Sequence, residues 1–326
     1  MKRVLAFTAA TVASASLVAC GSNNKDVVSL NAGGATFPAP LYQNWFQTYA
    51  QQGGHRVSYQ AIGSGAGVRQ FVAGTVDFGA SDKALSDEKI EANGVPVIQI
   101  PLTGGAIVPA YNNPGCDAQM TQTELADVFL GNITNWSYFG CEDKPISVVF
   151  RSDGSGTTAG FTASLSAFSP EFAQTIGSGK SVNWVVGSGG KGNSGVAGQI
   201  TNLDGAIGYL NYGYIVNTNL QQVPIQNREG NFVTANAETS AAGLSQIVLD
   251  DKLRGADPNP SGANSYPIVS LTWLLVHPEH PKNEPIKEVV TYMLSDEAQG
   301  RSDALGYVPL PENIRDAALE VVETLQ

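Results

Sequence analysis

The stretch from Phe150 to Thr158, FRSDGSGTT, puts an arginine, an aspartate two residues later and a Gly-Ser-Gly-Thr-Thr run side by side. Arg151 is an always-ionised fork of donors that suits a carboxylate or a phosphate, and Asp153 is spaced to hold that fork in place. The glycines let a ligand come close to backbone N–H groups. Two further segments share the same layout of an extended run, a turn of small and hydroxyl residues, and a helix start: AGGATFPAP with Thr36, and AIGSGAGV with Ser64. The first N–H groups of a helix lack intrahelical partners and carry partial positive charge, so three such starts brought together make an anion site. The plainer alternative is that each hydroxyl caps its own helix. Three segments in one chain, one of them beside Arg151, favour the anion.

Asp82, in DFGASD, adds a chemical constraint. An ionised carboxylate only accepts hydrogen bonds, so it tolerates an anion that still carries a proton and repels one that does not. Phosphate near neutral pH is protonated and sulfate is not. Leaving a buried charge unpaired costs about 3–5 kcal/mol, which is roughly two to three powers of ten or more in affinity.

Other chemistries fit the residues less well. GSGKS at Gly177 to Ser181 looks like the end of a phosphate-binding P-loop, but the first glycine of that motif falls on Gln174 and the preceding SPEFAQTI is not a buried strand. IGSGAGV lacks the spacing of a dinucleotide fold, and no G-x-S-x-G nucleophile elbow occurs. His55, His277 and His280 are scattered and, with the cysteines, show no metal-ligand spacing. Neither a metal nor a cofactor is expected, and hydrolysis is the weaker second reading.

The elements that must position these groups alternate between β-like runs and helical segments from Val27 onward, the pattern of an α/β fold. VVSLNAGG, RVSYQAIGSG and TVDFGASD read as strands, with PAPLYQNWFQTYAQQGG and GAGVRQFVAG as helices between them. VPVIQIPLTGGAIVPAYN is long, apolar and extended. Thr121 and Glu124 form a capping-box pattern ahead of LADVFL, and PISVVFRSD is a strand running into the helix GSGTTAGFTASLSAF. The Gly-, Ser- and Asn-rich region from about Gly177 to Ser194 is expected to be loop. GVAGQITNLDGAIGYLNYGYIV then supplies a helix and a strand, IVSLTWLLVH a strand, and EPIKEVVTYMLSDEAQ and PENIRDAALEVVETLQ two helices.

The chain has 326 residues, 42% hydrophobic and 14% charged, enough for two domains with real cores. Met1-Lys2-Arg3 followed by VLAFTAATVASASLVAC reads as an export signal over residues 1–19. Leu17-Val18-Ala19-Cys20 resembles a bacterial lipobox, in which Cys20 is lipidated, and residues 20–26 then serve as a tether. A lipid on Cys20 would be the chain's contact with a membrane. The 18 basic and 29 acidic residues give −11, and loss of Lys2 and Arg3 leaves 16 against 29, or −13. Such a balance argues against nucleic acid or an anionic membrane surface as a partner. Cys116 and Cys141 remain in an oxidising compartment and are compatible with a disulfide.

Taken together, GGATFPAPLYQNWFQTY, VSYQAIGSGAGVRQFVAGTVDFGASDKALSDEK, VVFRSDGSGTT, GGKGNSGVAGQI and GAIGYLNYGY closely resemble the phosphate-binding proteins of bacterial phosphate-specific ABC importers. The similarity runs in order from about Gly33 to Pro309. It implies a two-domain periplasmic-binding-protein fold, with 27–111 plus 270–326 as domain I, 112–269 as domain II, a hinge of crossing strands and the ligand in the interdomain cleft. Carried over, the phosphate contacts fall on Thr36, Phe37 through its N–H, Ser64, Asp82, Arg151, Ser155, Gly156 and Thr157, with Asp153 pairing Arg151. One departure is Gly65-Ala66-Gly67, where some relatives have Ser-Gly-Gly, which removes any hydroxyl contact at 65. The resemblance implies a monomeric extracytoplasmic receptor, not an enzyme, that passes inorganic phosphate to the permease and ATPase subunits of an importer. The rivals are a receptor for another protonated oxyanion such as arsenate, and a secreted phosphatase-like enzyme.

Overall fold

A computed structural model describes residues 26–216 and 218–326. The expected signal peptide, Cys20 and nearly all of the tether lie outside the described residues.

The first half of the chain alternates strands and helices as β1 (Ser29–Gly34), α1 (Ala39–Gln51), β2 (Arg56–Ala61), α2 (Ser64–Val72), β3 (Phe78–Ser81), α3 (Asp87–Asn93) and the long β4 (Ile98–Asn112). It continues with α4 (Gln122–Leu130), β5 (Ser147–Arg151), α5 (Gly156–Phe168), α6 (Pro170–Thr175), β6 (Ser188–Gly190), α7 (Gly192–Asn202) and β7 (Ala206–Asn211). Short pairings β8 (Gln221–Gln222), β9 (Ile225–Gln226) and β10 (Phe232–Val233) precede α8 (Ala237–Leu244) and β11 (Val269–Val276), and α9 (Asn283–Leu294), α10 (Asp296–Gln299) and α11 (Glu312–Glu323) close the chain.

The described residues form one nine-stranded sheet whose order is β2-β1-β3-β11-β4-β7-β5-β6, with β8 attached to β4. Parallel trios stand at both ends, β2-β1-β3 and β7-β5-β6, and the antiparallel pair β11 and β4 joins them. β4 belongs to both halves. Its residues Ile98 to Ala106 pair with β11, and Ile107 to Asn112 pair with β7. Pro101 has no N–H to give the ladder, and the register of β11 slips between Thr272 and Trp273 opposite it. The two halves are called lobe I, with α1–α3 and α9–α11, and lobe II, with α4–α7.

Each lobe is held by a large buried tryptophan whose indole N–H is satisfied. In lobe I, Trp45 is fully buried and its indole N–H donates to Ala298 O at 2.6 Å. In lobe II, Trp136 is fully buried and donates to Gly205 O at 2.9 Å. Burying such a side chain contributes on the order of 1.5–3 kcal/mol. Cys116 and Cys141 are joined by a disulfide with a Cα–Cα distance of 5.2 Å.

The structure differs from the sequence reading at several elements. The stretch expected to be loop up to Ser194 contains the edge strand β6, and α7 already starts at Gly192. The helix expected over EPIKEVVTYMLSDEAQ breaks at Ser295, which is extended and caps α10 by accepting from the Ala298 N–H. α3 and α8 are additional helices, each capped at its start, by Ser86 and by Asn236.

Candidate functional site

In parallel sheets the strand ends point their following turns to one side, and ligands gather outside the carboxyl ends of the strands. Here β1 ends at Gly34 just before Thr36, β2 at Ala61 before Ser64, and β3 at Ser81 before Asp82. In lobe II, β5 ends at Arg151 and leads to Ser155, β6 ends just before Asn193, and β7 ends at Asn211. The two trios therefore present their carboxyl-end turns to one seam between the lobes.

The lobes meet there through named contacts. The N–H of Gly65 donates to Gly154 O at 2.7 Å, and the N–H of Gly156 donates to Ser64 Oγ at 3.2 Å. Asn193 Nδ2 donates to Thr36 Oγ1 at 2.8 Å, its backbone N–H donates to the same oxygen at 3.3 Å, and the Tyr214 hydroxyl donates to Thr36 O. Glycine is required at this seam. A Cβ on Gly63, where φ is +91°, would lie 2.2 Å from Asp153 Oδ2, and one on Gly156 would lie 2.6 Å from both Asp82 Cβ and Ser64 Oγ.

α1 follows Pro38 and α2 follows Gly63, and neither start has a side-chain cap, so Thr36 and Ser64 are not caps. Ser155 is a cap, accepting from the Thr158 N–H at 3.0 Å. Ser64 is fully buried and works as a junction: it accepts from the N–H of Asp82 and of Gly156, and its hydroxyl donates to Asp82 Oδ2 at 3.3 Å.

Asp82 is 5% exposed. Its Oδ1 accepts from Thr272 Oγ1 at 2.9 Å and its backbone carbonyl accepts from Ser270 Oγ. Burial pushes its carboxyl up from 3.8 to about 6, against the opposing pull of the Thr272 hydrogen bond, Arg151, Lys180 and Ser64. Arg151 is 4% exposed. Its Nε donates to Asp153 Oδ1 at 2.8 Å and its Nη2 to Oδ2 at 2.6 Å, a two-pronged pair. Burial alone would raise the Asp153 carboxyl, but the Arg151 fork holds it below the usual range, helped by the Gly192 N–H donating to Oδ1. Arg151 Nη1 donates to Thr157 Oγ1, which donates to Asn211 Oδ1.

Phe37 is fully buried. Its carbonyl accepts from the Tyr307 hydroxyl at 2.7 Å, and the two rings pack at 5.6 Å, which fixes the turn that carries Thr36 and the Phe37 N–H. The structure thus gathers Thr36, Ser64, Asp82, Arg151, Ser155, Gly156, Thr157 and Asp153 at one seam, with Phe37 behind the first turn. Cys116 and Cys141 lie apart from it, on the loop before α4 and after Trp136. Thr272, Asn193, Asn211, Tyr214 and Lys180 join the seam without having been singled out from the sequence. GGKGNSG and GSGKS were the available signals for two of them, but neither matches a P-loop and nothing local says which turn either faces. Among the described residues no group of His, Cys, Asp and Glu is placed to hold a metal ion.

Chemically, the seam offers helix-start N–H groups, hydroxyls and an arginine neutralised by its own aspartate, together with one buried acceptor-only carboxylate. Such an arrangement suits a small anion that carries a proton. Comparison with known proteins agrees with that chemistry. A family model described as a PBP superfamily domain matches residues 14–297. The phosphate-binding protein PstS of Pasteurella multocida (strain Pm70) is 37% identical over 311 residues, covering 88% of this chain and 87% of that protein. PstS of Haemophilus influenzae is 35% identical over 302 residues, covering 88% and 90%. A crystal structure of a putative phosphate ABC transporter substrate-binding protein with bound phosphate from Clostridium perfringens has the same fold, with a TM-score of 0.67 at 21% identity over 87% of this chain and 100% of that one.

Proposed function

The chain belongs to the PBP superfamily and, within it, to the phosphate-binding proteins, and from that membership and the cleft chemistry we propose that it captures inorganic phosphate outside the cytoplasm for an ABC importer. It is a binding protein, not an enzyme. The observation that carries the ligand assignment is Ser64 Oγ, which ties the Asp82 carboxylate of lobe I to the start of α5 in lobe II, so that closing the lobes sets donors and one carboxylate around the same small volume.

In this reading Thr36, the Phe37 N–H, Ser64, Ser155, the Gly156 N–H and Thr157 donate to phosphate oxygens, with Ser64, Thr157 and the Gly156 N–H exchanging their present acceptors Asp82, Asn211 and Ser64 Oγ for the ligand. Arg151, oriented by Asp153, donates its remaining N–H groups, and Asp82 accepts the ligand's proton. Neutral donors and helix ends hold the anion without a large positive field, which matters in a chain of net charge −11. We assign residues 27–111 plus 270–326 to domain I and 112–269 to domain II, hinged along β4 and β11, the strands that join the two parallel trios. No helix among the described residues is long and apolar enough to cross a membrane. Attachment is through lipid on Cys20, and a monomer docks on the permease and ATPase assembly.

Calorimetry on protein stripped of carried-over anion tests the assignment with phosphate, arsenate and sulfate at neutral pH. Tight binding of phosphate with sulfate at least about a hundredfold weaker supports it. Equal affinities for phosphate and sulfate refute it. Arsenate is protonated like phosphate, so Asp82 gives no reason to exclude it, and comparable arsenate binding is expected. Sustained hydrolysis of a chromogenic phosphate ester that an Arg151 variant abolishes would overturn the carrier reading.

A further inference from the structure

Lys180 lies in the loop between α6 and β6. Its carbonyl accepts from the Ser155 N–H at 2.8 Å, which fastens the loop to the start of α5 in lobe II. The side chain runs the other way, across the seam, and its ammonium donates to Ser81 Oγ of lobe I at 3.0 Å. Ser81 is fully buried, ends β3 and directly precedes Asp82; its hydroxyl donates to Lys83 O at 2.7 Å. Charge therefore comes to Asp82 from two sides. Arg151 is committed to its two-pronged pair with Asp153, whereas among the described residues Lys180 has no carboxylate in an ion pair of its own.

The charged groups around Lys180 are few. Burial lowers its ammonium from 10.5 to about 8, Asp82 opposes that by favouring the charged form, and Lys83 and Lys89 add to the lowering. Reciprocally, Lys180 is one of the groups that hold the Asp82 carboxyl down against its burial. A phosphate dianion beside an ionised Asp82 concentrates three negative charges, and the Arg151 cation is already balanced by Asp153. A further positive charge within the closed cleft offsets that repulsion.

We propose that Lys180 is a specificity-setting residue: a counter-charge that reaches Asp82 only when the lobes close, and that lets the cleft accept an oxyanion carrying two charges and one proton. This deepens the phosphate assignment and rests on it. With the lobes apart, Lys180 stands on lobe II and Asp82 on lobe I; closure brings the ammonium onto Ser81 and raises the affinity of the closed form for the dianion.

The test is phosphate titration by calorimetry from pH 5 to 9 on stripped wild-type protein, Lys180→Gln, Lys180→Arg and Ser81→Ala, with thermal unfolding of each to check the fold. Lys180→Gln is expected to weaken phosphate by about tenfold or more at pH 7, where the wild-type ammonium is charged, the scale of a charge-assisted hydrogen bond. It should also move the acid limb of the affinity profile to higher pH, because Asp82 loses a neighbour that keeps it ionised. Lys180→Arg should restore both properties, while Ser81→Ala should keep the acid limb in place. Lys180→Gln binding within about twofold of wild type overturns the proposal alone. So does equal weakening in the Gln and Arg variants with an unmoved acid limb, which marks a purely steric latch. Wild-type protein that binds no phosphate at all overturns the phosphate assignment itself.

Discussion

Replacing Asp82 by asparagine removes a charge and turns one acceptor oxygen into a donor at a position only 5% exposed, with Thr272 and Ser64 already donating to it. For phosphate, the lost interaction is a hydrogen bond to a charged acceptor, worth about 1.5–3 kcal/mol, or roughly ten- to a hundredfold in affinity. For sulfate the change runs the other way. Relief of an unpaired buried clash of about 3–5 kcal/mol strengthens binding by roughly two to three powers of ten. Selectivity between the two anions should therefore collapse by about three powers of ten or more, read by calorimetry at pH 7. Stability supplies an independent arm. The Asp82 carboxyl sits at about 6 in the fold against an ordinary 3.8, so between those values the folded state binds the extra proton and stability falls as pH rises. Above pH 6 the full penalty is present, on the order of 3 kcal/mol, and asparagine does not carry it. Ligand-free Asp82→Asn should be the more stable protein at pH 7, with the gap closing toward pH 4. Parallel loss of both anions, or a stability difference that ignores pH, would refute the reasoning.

Gly156→Ala places a Cβ 2.6 Å from Asp82 Cβ and Ser64 Oγ in the opposite lobe, so phosphate affinity should fall by more than about a hundredfold while far-UV circular dichroism stays unchanged. Cys116 and Cys141 are 25 residues apart, and opening that bridge with reductant should cost about 3.5 kcal/mol of stability in chemical denaturation and leave phosphate affinity unaltered. Thr121→Ala removes one half of the capping box at the start of α4 and should cost about 1 kcal/mol in the same assay, again without affecting binding.

Local chemistry made part of this molecule legible. Thr36, Ser64 and Ser155 to Thr157 each stand where an extended run gives way to glycines and a helix, and the structure has strand ends followed by α1, α2 and α5 at those places. The long apolar run ending at Asn112 is a single strand, β4. What the sequence hid is of two kinds. α3 buries none of its residues, so it has no apolar stripe to betray it, and β6 is three residues inside a glycine-rich stretch. The second kind is long-range: Thr272 meets Asp82 across 190 positions, Asn193 meets Thr36 across 157, and Lys180 meets Ser81 across 99. No spacing rule reaches that far. Only the order of strands in the sheet brings those residues to one seam.

The central claim is that a protonated tetrahedral anion sits between the two lobes and that Asp82 takes its proton. A crystal structure with phosphate at neutral pH tests this most directly. The account predicts an anion within hydrogen-bond distance of Thr36, Ser64, Arg151, Ser155 and Thr157, with one of its oxygens in equally short contact with the Asp82 carboxylate. Phosphate bound elsewhere, or held in this cleft with every oxygen turned away from Asp82, would contradict it.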